Sequence, residues 1–113
     1  MDIHVRTDAN VDITGQLRER METDVVSALD RFSDHLTRID ISFRDESAGR
    51  ETADDIRCLM EARPAGQEPV TVTASSARVL TAFAEALDKL ETLLTHKFGR
   101  LDDKDSRETI RGR

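Results

Sequence analysis

Tryptophan and tyrosine are both missing, and four phenylalanines are the whole aromatic content. Any core built from this chain is therefore mostly aliphatic. The single cysteine, Cys58, has no second thiol to pair with. That excludes an internal disulfide and a Cys-x-x-Cys redox or zinc pair, and it fits a reducing compartment. Long apolar runs are absent as well. The first residues, "MDIHVRTD", hold nothing that resembles a signal peptide or a membrane span, so a cytoplasmic protein with no membrane partner is expected. Positive charge is scarce: 17 Lys and Arg stand against 23 Asp and Glu, a net charge of −6. This balance argues against a strongly basic nucleic-acid binder. Glycine-rich phosphate loops, a Gly-x-Ser-x-Gly elbow and paired-carboxylate contexts are lacking too. The expectation is a protein that is not an enzyme, takes no cofactor and turns over no small-molecule substrate.

What is present is periodicity. With 113 residues there is room for one domain and one core. In "DIHVRT" the residues Ile3 and Val5 alternate with His4 and Arg6, which predicts a half-buried strand. Thr14 stands at a helix N-cap position, its hydroxyl free to accept an N–H of the first turn. From Leu17 the spacing turns to three and four through Met21, Val25, Ala28, Leu29, Phe32 and Leu36, which predicts about five turns of amphipathic helix. Period two returns with Ile39, Ile41 and Phe43, then with Ile56, Cys58 and Met60, then with Val70 and Val72. Gly66 and Pro69 mark the turn between the last two strands. Ser76 is placed to cap a second helix whose core stripe is Val79 or Leu80, Phe83, Leu87, Leu90, Leu94 and Phe98. Gly99 reads as its stop, leaving residues 99–113 as a polar, disordered tail.

The order is β-α-β-β-β-α. The last three strands form an antiparallel meander. Two amphipathic helices need one apolar surface, and a four-stranded sheet with one polar face supplies it. The expected fold is thus α+β, with both helices side by side on one face of the sheet, resembling a double-stranded-RNA-binding domain. Residues 1–98 make up the domain.

This order and these residues resemble the ribosome hibernation-promoting factor family, which includes the ribosome-associated inhibitor proteins. The likeness runs from Met1 to about Lys97. It rests on the opening "MDIHVRTDANVDITGQLRER", on the spacing of Leu17, Met21, Val25 and Phe32, and on "ALDKLETLL" in the second helix. The resemblance implies a domain that sits on the small ribosomal subunit among ribosomal RNA (rRNA) phosphates. It also implies action by occupation, inhibiting or protecting idle ribosomes under stress, and a short form without a ribosome-pairing domain. One departure stands out. Where the family carries a dense run of Lys and Arg after Asp-Lys-Leu-Glu, this chain reads "TLLTHKFGR", with Thr92, Thr95 and His96 among the expected cations.

The RNA-binding candidates are Lys89, Lys97, Arg100 and Arg78 on or beside the second helix, with Arg18, Arg20, Arg31 and Arg38 on or beside the first. Each has a plainer alternative. Lys89 can pair with Glu85 one turn away. Arg78 in a first helical turn opposes the helix dipole by about 0.3–1 kcal/mol and can reach a nearby carboxylate. The helix-one arginines are interleaved with Glu19, Glu22, Asp24, Asp30 and Asp34. His4, His35 and His96 lack metal-ligand spacing, and "RDESAGRETADD" lacks the ligand order of a calcium loop, so no metal site is expected. Cys58 reads as a buried structural thiol. The competing function is an acidic protein–protein module on the same fold, a homodimer or a binder of another protein. Charge placement separates the two: basic side chains converging on the helix face favour rRNA, and carboxylates lining that face oppose it.

Overall fold

Strand β1 (Asp2–Thr7) carries Val5 inward and His4 and Arg6 outward, as its alternation requires. The computed structural model describes residues 1–8, 11–46 and 56–111, with side-chain surroundings as far as Phe98. Helix α1 covers Gly15–Leu29, and a 3-10 helix follows over Asp30–His35. Strands β2 (Leu36–Asp45), β3 (Ile56–Pro64) and β4 (Val70–Ser76) come next, and α2 runs from Val79 to Arg111. The order is the expected β-α-β-β-β-α.

The sheet order is β1-β2-β3-β4. β1 runs parallel to β2, with Ile3 opposite Ile39 and Val5 opposite Ile41, because α1 returns the chain to the same end of the sheet. β2, β3 and β4 pair antiparallel, placing Phe43 opposite Cys58 and Met60 opposite both Ile41 and Val72. One face of the sheet is thereby apolar. Ile39, Ile41, Phe43, Cys58, Met60 and Ala62 are buried there against Met21, Val25 and Leu29 of α1 and Phe83, Leu90, Leu94 and Phe98 of α2. Small side chains at Ala62, Ala74, Ala82 and Ala86 are also buried, which lets α2 lie close over β3 and β4. α1 packs beside it.

Three local details differ from the sequence expectation. The first helix does not continue to Leu36. It ends at Leu29, Phe32 reaches the core from the 3-10 helix, and Leu36 opens β2. Asp30, Ser33 and Asp34 compete for backbone hydrogen bonds and favour this tighter exit. At the second helix, Ser76 lies two residues too early to cap the first turn. Its Oγ accepts the Arg78 N–H at 3.4 Å, while the Arg78 carbonyl accepts from Ala82 N–H at 3.0 Å. Arg78 itself therefore holds the cap position, just before the helix. The α2 backbone also passes through Gly99, where a stop was expected, and is helical as far as Arg111. A glycine stop uses the left-handed conformation. Among the described residues Gly66 adopts it (φ 70°), in the β3–β4 turn. Thr14 does cap α1, its Oγ accepting Leu17 N–H at 3.0 Å.

Candidate nucleic-acid interface

The groove between the helices is the surface where the sequence candidates should meet. It is lined by Arg20, Asp24 and Ala28 of α1 and by Leu80, Leu87, Asp88 and Glu91 of α2, among others. One arginine faces three carboxylates, and that arginine already lies 3.9 Å from Asp24. The groove is acidic. By the charge criterion set out above, it is the wrong sign for a phosphate backbone.

The other candidates scatter. Arg18 leans off α1 towards the sheet edge, its Nη1 donating to the Val5 carbonyl at 3.0 Å. Arg31 ties the 3-10 helix to α2. Its Nη2 donates to Thr95 Oγ1 at 2.6 Å and lies 3.6 Å from Glu91, with the guanidinium 4.7 Å from the Phe32 ring centre. Behind it Phe98 stacks on His35 at 4.7 Å and tilts against Phe32 at 5.9 Å, so His35 and Arg31 clasp the end of the described core. Lys89 makes no pair with Glu85; its Nζ donates to the Thr73 carbonyl of β4 at 2.8 Å. Arg78 and Lys97 make no ion pair with described residues. The Arg100 side chain lies outside the described residues. Arg38 is on the far side of the sheet altogether, since Ile39 beside it points to the helices.

That far side holds the larger gathering of cations. Arg6 of β1, Arg38 and Arg44 of β2, and Arg57 and Arg63 of β3 line two clefts that share Ser42 and Leu59. Asp40, Glu46 and Glu61 are the carboxylates in the same lining. Five arginines therefore face three acids, in a chain whose net charge is −6. Asp2 lies outside the two clefts, on the same face. Asp40 bridges Arg38 at 2.9 Å and Arg63 at 3.5 Å, and Arg63 also reaches Glu61 at 2.8 Å. Four of these arginines escaped the sequence reading. Alternation places each on the polar face of its own strand, but only the register brings them together.

Cys58 is buried on the apolar face, and desolvation pushes its thiol up to about 12 from 9.0. It is kept neutral there and cannot act as a nucleophile. Among the described residues no group of three or more His, Cys, Asp or Glu side chains could hold a metal ion. No described helix is long and apolar enough to cross a membrane.

Comparison with known proteins adds three findings. The model of the family described as sigma 54 modulation protein / S30EA ribosomal protein matches residues 3–102. The crystal structure of the Thermus thermophilus Protein Y N-terminal domain superposes with a TM-score of 0.67 at 24% identity, covering 85% of this chain and 98% of that one. A ribosomal subunit interface protein from Coxiella burnetii gives a TM-score of 0.63 at 23% identity, covering 88% and 99%. At these identities the two structures establish the fold. No curated protein matches the sequence.

Proposed function

Because the chain belongs to the sigma 54 modulation protein / S30EA ribosomal protein family, whose members include the ribosome hibernation factors, we propose that it binds the small ribosomal subunit through rRNA phosphates. Membership makes it a ribosome-associated modulation factor. The finer reading is a non-enzymatic cytoplasmic protein that occupies idle ribosomes under stress, inhibiting or protecting them. The observation that carries it is the reach of the family match, residues 3–102, which takes in α1, β2, β3 and β4 whole, all but the first residue of β1, and α2 as far as residue 102. The same architecture recurs in a protein named for the ribosomal subunit interface. Binding of this kind reads backbone and shape, and it weakens as salt rises because each phosphate contact releases counterions.

A second reading has its own support. Asp24, Asp88 and Glu91 ring a groove floored by Ala28 and Leu87, a combination suited to a basic, partly apolar protein segment. On that reading the fold has kept its shape, lost its RNA surface and acts as an acidic protein-binding module or homodimer.

Co-sedimentation with ribosomes on sucrose gradients, at low and at moderate salt, tests the first reading against the second. Recovery with small subunits and whole ribosomes at low salt, declining as salt rises, is the expected result. Absence from those fractions even at low salt would reject rRNA binding and turn attention to the groove.

A further inference from the structure

We propose that the open face of the sheet, and not the groove between the helices, is the surface that meets the RNA backbone. This rests on the ribosome-binding reading and assigns it a face. The register supplies the first reason. Arg38 stands directly opposite Arg63, and Arg44 directly opposite Arg57, across the β2–β3 ladder. Like charges in that position destabilise a sheet. The first pair is compensated by Asp40 of β2 and Glu61 of β3, which face each other further along the same ladder. The second is compensated on one side only: Arg57 reaches Glu46 at 3.3 Å, while Arg44 makes no ion pair with described residues. Arg6, beside Ser42 on the next strand, makes none either. Arg6, Arg44 and Arg57 thus form a cationic end to the face, where Glu46 pairs with Arg57 and no described carboxylate pairs with Arg6 or Arg44.

Dimensions and sign supply the second reason. Arg38 and Arg44 are six residues apart on β2, about 20 Å at strand rise, and β1 to β3 spans about 10 Å. A stacked single strand places roughly six phosphates along such a length. Arginine suits the task, because its planar fork takes a phosphate in two hydrogen bonds. The opposite side of the molecule offers the acidic groove, so a polyanion approaching this net-negative protein is turned towards the sheet.

The test compares three variants with the wild type in small-subunit co-sedimentation across a salt series. Arg6→Gln/Arg44→Gln/Arg57→Gln removes three phosphate contacts. At about 0.7 per contact for single-stranded RNA, affinity near 0.1 M salt should fall about 100-fold, with the salt slope shallower by about 2. The same three positions changed to Lys keep the charge and should keep the slope, which separates lost contacts from a damaged fold. Arg20→Gln/Arg78→Gln/Lys97→Gln, on the helix side, should bind within a few-fold of wild type. If the sheet variant binds like wild type while the helix variant is lost, the assignment is overturned and ribosome binding stands. If wild type fails to bind at any salt, the ribosome reading falls and the assignment with it. If the sheet variant instead abolishes a self-association seen by sedimentation without RNA, and ribosome binding is untouched, the face belongs to a second copy and the assignment is overturned.

Discussion

Replacing Phe98 with Ala tests how the end of α2 is held. The ring is 1% exposed, stacked on His35 and packed against Phe32. A phenylalanine buries about 150–250 Å², which at ~25 cal/mol per Å² amounts to about 4–6 kcal/mol. Alanine keeps part of that area, and the unfolded chain hides some of it, so the expected loss is about 3–5 kcal/mol. A domain of this size has only about 5–10 kcal/mol to lose. Urea unfolding should therefore show the midpoint falling by roughly 2–3 M for a slope near 1.5 kcal/mol per M. Phe98→Leu, which restores most of the burial and loses the ring contacts, should cost about 1–2 kcal/mol. The control is Leu93→Ala, on the same helix but 44% exposed, which should move stability by no more than about 0.5 kcal/mol. A Phe98→Ala midpoint indistinguishable from that of the Leu93 control would refute the clasp formed by the 3-10 helix and α2.

Other consequences are smaller but as direct. Thr14→Ala removes the oxygen that accepts Leu17 N–H and should cost about 1 kcal/mol in the same urea assay, with Thr14→Ser restoring it. The Cys58 thiol, raised from 9.0 to about 12 by burial, holds its proton more tightly in the folded state than in the unfolded one. Its contribution is complete below the unfolded value and is lost as pH climbs from about 9 to about 12, at about 1.4 kcal/mol per pH unit. Cys58→Ala should remove that slope from midpoints measured against pH. Near neutral pH the wild-type thiol should react with Ellman's reagent only after urea unfolds the chain. Lys89 caps the Thr73 carbonyl on the outer strand of the sheet. Lys89→Met should leave that edge open and raise self-association in sedimentation velocity, since an unguarded strand edge pairs readily. Unchanged sedimentation would mean the edge is protected by something other than this lysine.

Much of the fold follows from local pattern. Period two at Ile39, Ile41 and Phe43 and period 3.6 through Phe83, Leu87, Leu90 and Leu94 identify strand and helix and name the buried side of each, because alternation and helical pitch are properties of the backbone alone. The Thr14 cap was legible because its partner, Leu17, is three residues away, and the burial of Cys58 because it follows the alternation of its own strand. The end of α1 was less so. Phe32 and Leu36 continue the helical spacing in sequence, and the tighter exit that Asp30, Ser33 and Asp34 favour is fixed only by the need to enter β2 at Leu36.

The charge map lay wholly beyond the sequence. Lys89 and Glu85 are correctly spaced for a helical pair, yet Lys89 turns to a carbonyl of β4 that is distant in sequence. Arg44 and Arg57 are separated by thirteen positions and become direct neighbours through the β2–β3 register. Arg38, read as belonging beside the first helix, lands on the opposite side of the sheet because its strand alternates about Ile39. The sequence by itself determined which residues are apolar, at what period, and hence which face of every element is buried. The tertiary structure alone decided which outward charges share a surface. Burial is a preference each residue carries with it, whereas a charged patch is a sum over strands whose alignment is settled only when they pair.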